Sequence, residues 1–110
     1  MTIADILAAW VRWMHRNDLT ADLVTVQAMA EAMIVNAIMQ KDPDLADVLA
    51  VAPTAYLHAG LVYLHELAMD DAGMQREADM FQKAIADYSM RWSLTNSDAI
   101  PTLYGGQLAP

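Results

Sequence analysis

The sequence predicts an all-α protein: a small helical bundle of about four main helices, followed by an extended C-terminal tail. Three observations predict it. Apolar residues recur at three- and four-residue spacing over most of the chain. No stretch alternates apolar and polar as a half-buried strand would. The pattern stops at a few turn-forming clusters and ends altogether near Asn96. At 110 residues the chain is one domain's worth, divided into a helical body over 1–95 and a tail over 96–110.

The first segment runs from Ile3 to about His15. Ile3, Ile6, Leu7, Trp10, Trp13 and Met14 share one face, while Asp5, Arg12 and Arg16 fall elsewhere. Thr2 suits the N-cap, and Asn17-Asp18 breaks the pattern. The second segment is expected from Thr20, as cap, to about Gln40. Gln27, Glu31, Asn36 and Gln40 make a narrow polar stripe, and the rest is Ala, Val, Ile and Met. A helix this apolar is expected to be covered on several sides.

Lys41-Asp42-Pro43-Asp44 reads as a turn and restart, with Asp42 as cap and Pro43 at the first helical position. One or two short helical turns follow over residues 44–51. Pro53 then opens a third segment reaching about Met69. Tyr56, Leu57, Leu61, Val62, Tyr63, Leu64 and Leu67 make it apolar nearly all round, which marks the central helix. Asp70-Asp71-Ala72-Gly73 is a tight connection. The fourth segment, Met74 to about Ser93, carries the stripe Met74, Ala78, Phe81, Ile85, Tyr88 and Trp92, with Asp79, Lys83 and Asp87 opposite. The short connection favours antiparallel packing of the third and fourth segments.

Composition bounds the function. The chain is 56% hydrophobic and 18% charged, so it can bury a core. Fourteen acids against six bases give a net charge of −8. That argues against gripping DNA or anionic lipid, which takes Lys/Arg clusters. The absence of cysteine excludes disulfides, Cys-ligated metals and thiol nucleophiles. The first residues lack the order of a secretory signal. The apolar run from Leu23 to Met39 contains Gln27, Glu31 and Asn36, which a lipid-facing span disfavours, so no membrane is expected.

No catalytic constellation stands out, and no enzyme, cofactor or metal is expected. His58 and His65 are seven residues apart on one helix, about 10 Å, too far for a shared zinc ion. They read as polar tips on an apolar helix. The carboxylates Asp42/Asp44/Asp47 and Asp70/Asp71 sit at helix junctions, where capping explains them. No serine lies in a strand–turn–helix elbow, and Gly105-Gly106 has no following helix to hold a phosphate. The nine methionines are expected to fill the core rather than to form a repacking surface. Trp10 and Trp13 anchor the first helix, either to the body or to a neighbouring subunit.

The tail is the most informative stretch. Ile100, Leu103, Tyr104 and Leu108 cannot form a core of their own. Either they fold back on the body or they lie in a groove on another protein. We take them as the partner-binding residues.

The order of segments resembles the head-to-tail adaptor, or connector, proteins of tailed bacteriophages and gene transfer agents. The resemblance is carried by the stretch from Pro53 through Thr54-Ala55-Tyr56-Leu57-His58-Ala59-Gly60-Leu61-Val62-Tyr63-Leu64-His65-Glu66-Leu67, and by Glu77-Ala78-Asp79-Met80-Phe81-Gln82-Lys83-Ala84 in the next helix. It covers most of the chain as a pattern, without one specific motif. The region from Lys41 to Pro53 departs from it, being short and helical where relatives carry a longer loop. The resemblance implies a structural virion protein in the neck. It would form a ring, typically of twelve subunits, between portal and tail, with assembly in the host cytoplasm. It would dock on the portal protein by its C-terminal tail through Ile100, Leu103, Tyr104 and Leu108, and present a platform to tail or nozzle proteins. Double-stranded DNA would pass through the channel without specific binding. An acidic chain suits such a passage. The competing reading is a small cytoplasmic helical regulatory or interaction module, dimeric and without a ring.

Overall fold

The computed structural model describes residues 1–38 and 44–96, with side chains as far as Leu94. The described residues are all-α, as predicted: five helices and no strand.

Helix α1 spans Ile3–Arg16. Thr2 caps it as expected, in a reciprocal capping box. Thr2 Oγ1 accepts from the Asp5 N–H at 3.3 Å, and Asp5 Oδ2 accepts from the Thr2 N–H at 2.9 Å. That backbone N–H, followed by the Thr2 hydroxyl, holds the Asp5 carboxyl below its usual range. The helix stops at Asn17, and Asp18 turns left-handed at φ 52°. Leu19 N–H then returns to Met14 O and Asp18 N–H to His15 O, which is a Schellman closure.

Helix α2 spans Leu23–Ala37. Its cap is Asp22, not Thr20. Asp22 accepts from Val24 N–H at 3.3 Å and from the Thr25 hydroxyl at 3.1 Å. The helix ends at Ala37 rather than near Gln40, because Ile38 is already extended. Helix α3 spans Leu45–Val51, capped by Asp44, whose carboxylate accepts from the N–H groups of Ala46 and Asp47. The expected restart at Asp42-Pro43 lies outside the described residues.

Helix α4 spans Pro53–Leu67 and meets α3 at 104° across Ala52. Pro53 occupies the first turn, where its missing N–H costs nothing. A second Schellman closure ends α4: Asp70 N–H to His65 O and Met69 N–H to Glu66 O, with Met69 left-handed at φ 58°. Helix α5 spans Asp71–Asn96, three residues longer at each end than its stripe suggested.

Helix α4 is the centre, as predicted. It packs on α5, α2, α1 and α3. Ala55, Ala59 and Gly60 are buried on it, so neighbouring helices approach its backbone closely. Trp10 takes the closest position. Its indole lies where a Cβ on Gly60 would be, and its Nε1–H donates to Leu57 O at 3.1 Å. Around this contact Ile6, Val26, Ala30, Ile34, Val48, Leu64, Phe81, Ile85 and Tyr88 close the core.

Among the described residues α2 is covered on one side only, where cover on several sides was expected. Val26, Ala30 and Ile34 are fully buried against the body. The opposite face is open, with Val24 75% exposed and Met29 and Val35 also exposed. Helix α4 offers only one side to α2, since α5 takes much of the rest. Among the described residues no single helix is long and apolar enough to cross a membrane.

Two substitutions test these constraints. Gly60→Ala gains up to about 1 kcal/mol of helix propensity but forces Trp10 out of its seat, an overpacking cost of about 1–3 kcal/mol. The net effect expected in thermal unfolding is a lower Tm. Met69→Gly relieves a left-handed side chain that is 88% exposed and makes little packing. It should raise stability by about 0.5–1 kcal/mol in denaturant unfolding.

Candidate interaction surface

The chemistry-bearing side chains of the body are engaged in holding helices together. Tyr56 of α4 donates its hydroxyl to Glu31 of α2 at 2.9 Å. His58 of α4 meets Glu77 of α5 at 2.6 Å, both largely buried. Tyr88 of α5 donates to Asp47 of α3 at 2.6 Å. With Trp10 on Leu57 O, these contacts tie α1, α2 and α5 directly to α4, and α3 to α5. Burial first and the partner carboxylate second push the Tyr88 phenol up to about 12 and raise the Tyr56 phenol. Both stay neutral donors at physiological pH.

Among the described residues His65 is the one buried polar or charged side chain of the core region, 4% exposed. Its ring packs on Trp13 with centroids 4.6 Å apart at 58°, and its Nδ1 lies 3.0 Å from Asp70 Oδ2. The other oxygen of Asp70 accepts from the Gly73 N–H at 3.0 Å, as an N-cap of α5 does. Gly73 allows this, since a Cβ there would overlap the imidazole and the carboxylate. The Gly73 N–H, and secondarily His65, hold the Asp70 carboxyl below its usual range. His58 and His65 thus meet separate acids. Among the described residues no three His, Cys, Asp or Glu side chains gather to hold a metal. A shallow depression of about 240 Å³ beside α1 is lined by Val11, Met14, His15, Leu19, Thr20, Ala21 and Leu23. It offers few convergent polar groups for chemistry.

What remains is surface. On α2, Val24, Thr25, Ala28, Met29, Ala32, Val35 and Asn36 are all exposed. At 3.6 residues per turn they fill one arc of about 140°. None of the seven is charged. The alanines sit mid-arc, so the face is a shallow trough between Val24, Val35 and Met29. The last two turns of α5 carry a second apolar feature, Met90 at 59% and Leu94 at 63% exposure. They lie one turn apart, away from Phe81, Ile85 and Tyr88, which face the core.

The predicted partner-binding residues Ile100, Leu103, Tyr104 and Leu108 lie outside the described residues. Sequence reasoning missed the α2 trough and the Met90–Leu94 ridge. The available signal was the lack of any charge along α2 except Glu31, which is turned toward Tyr56. The methionine expectation needs correction. Met14 is buried and Met33 and Met74 are half-buried, but Met1, Met29, Met69, Met80 and Met90 are exposed. Their unbranched side chains lie mostly on the open faces of helices that are covered on one side only. Trp10 and Trp13 both anchor α1 to the chain's own body.

Asp70 gives a pH-dependent test. Its carboxyl titrates lower in the folded chain than in the unfolded one, so its stabilisation is present above the unfolded value, about 4. It is lost as pH falls through the lower folded value. Asp70→Ala should therefore lower Tm at neutral pH, and the gap from wild type should narrow as pH falls below the unfolded value of about 4. Asp70→Asn keeps an acceptor for the Gly73 N–H and should fall between them. Compared with family models, curated proteins and solved structures, the chain matches none of them.

Proposed function

We propose that this chain is the subunit of a structural ring: a head-to-tail adaptor between the portal and the tail of a phage-like particle. The observation that carries the reading is the uncharged, largely apolar outer face of α2, left open by the described residues. A contiguous apolar face on an otherwise acidic surface marks a place where another polypeptide sits. The fold is compatible with the resemblance in segment order: an amphipathic first helix, an apolar second helix, a Pro-started central helix and a long fifth helix.

The chemistry of the body supports assembly rather than catalysis. Each of the polar contacts buried between helices is occupied by a structural partner. The net charge of −8 would let double-stranded DNA slide past a channel wall without sticking. Ile100, Leu103, Tyr104 and Leu108 are the residues proposed to dock on the portal protein, while the opposite side of the ring takes tail or nozzle proteins. Ordering such a segment costs entropy, which repeated contacts around a ring offset.

The test combines mass and hydrogen exchange. The purified chain, alone and mixed with a phage portal protein, should give a ring-sized species. Residues 97–110 should exchange more slowly in the assembly than in the isolated chain. A stable dimer that ignores the portal protein would favour the regulatory-module reading instead, and equal exchange in both states would remove the docking role of the tail.

A further inference from the structure

We infer that neighbouring copies of this chain meet head to tail, with Met90 and Leu94 at the end of one copy's α5 seated in the α2 trough of the next. The inference rests on the reading of the chain as a ring subunit and adds the surfaces that join the copies.

Charge is the first argument. Two copies each at −8 repel unless they meet where charge is absent. The chain has twenty charged residues, and only three of them fall in α2 and in residues 88–110: Glu31, Arg91 and Asp98. Glu31 is turned to Tyr56, and Arg91 is paired with Asp87 at 2.9 Å along its own helix. Residues 48–65 carry no charge either, but apart from Ala50, Val51 and Thr54 they are buried or half-buried in the body, so the outer face of α2 and the end of α5 are the larger neutral features left for an identical copy to approach.

Shape is the second. Ala28 and Ala32 make the floor of the trough, one helical turn apart. Met90 and Leu94 stand one turn apart on α5, with the same spacing of about 6 Å. Large residues on an i, i+4 ridge fit a groove floored by small residues at i, i+4. The trough has no comparable ridge of its own to offer a second trough.

Size is the third. The outer face of α2 is 15 residues long, so it covers about 22 Å by roughly 10 Å, or about 220 Å² per partner, far below the ~800 Å² of a stable dimer. A head-to-tail contact on that face is no larger, so either contact is weak singly; a back-to-back α2 pair, however, stops at two copies and leaves Met90 and Leu94 uncovered. A head-to-tail contact uses both features of every copy. It propagates, and it closes into a ring if the rotation between copies allows.

The absence of native cysteine makes the test clean. Ala28→Cys and Met90→Cys replace exposed residues, so each variant should keep the circular dichroism of the wild type. One carries a size tag, and the two are mixed at the concentration where the chain assembles, then oxidised mildly. Mixed dimers should exceed either homodimer severalfold, and the double variant should give a ladder of oligomers. Adding Leu94→Asp to the Met90→Cys chain should cut the mixed product about tenfold or more, because a carboxylate would be desolvated against the trough. Predominant A28C homodimers, or an intrachain crosslink in the double variant, would overturn the contact. Assembly of ring-sized mass without any mixed crosslink would overturn it too, yet leave the adaptor reading standing. A chain that stays monomeric at every concentration, with and without the portal protein, would end both.

Discussion

Helix α4 supports the other four helices through a simple steric condition: its contact positions are small. Ala55, Ala59 and Gly60 are buried, and at Gly60 the Trp10 indole occupies the space that any Cβ would need. Close approach brings the indole N–H within reach of Leu57 O, a carbonyl already committed to its own helix but with a second lone pair. Removing the space would remove both the packing and the hydrogen bond. The same condition recurs where α4 passes to α5. Gly73 lets His65 and Asp70 meet, so the turn is fixed by a capped carboxylate and a buried imidazole rather than by loop length.

Each neighbouring helix is then tied by a polar contact as well as by burial. Glu31, Asp47 and Glu77 each accept or share a proton with an aromatic side chain across a helix junction. Hydrogen bonds to a charged acceptor contribute about 1.5–3 kcal/mol each, and leaving one half-made costs as much or more. They also set register. An apolar interface slides with small loss, whereas a tyrosine hydroxyl over a carboxylate specifies one position.

Much of this was legible in the sequence. The helices, the Thr2 cap, the Asn17-Asp18 stop and the central place of the Pro53 helix follow from periodicity and end signals, because those are local. The start of α2 was misplaced because Thr20 and Asp22 are both capping types. Asp18 settles the choice: its left-handed turn sends Leu19 back to Met14 and leaves the chain non-helical until Asp22. The partners of His58 and His65 were not legible, since Glu77 and Asp70 reach them only after the α4–α5 hairpin closes. Nor was the open face of α2. Hydropathy records that a helix is apolar all round, not whether the second side is covered by the same chain or by another.

That last ambiguity joins fold to function. In a lone chain, an apolar arc of α2 facing water is a cost with no return, since Val24, Met29 and Val35 gain nothing by exposure. The acids are placed elsewhere: at caps such as Asp5, Asp22, Asp44 and Asp70, in interhelical contacts, and along the outer side of α5. Acidic charge has thus been kept off one helix face and off the last turns of α5, where Arg91 is paired with Asp87, while the chain as a whole is strongly acidic. A surface selected only for solubility would spread that charge. The proposed ring, whose neutral parts would touch copies of itself and whose acidic parts would keep clear of DNA, accounts for such a separation.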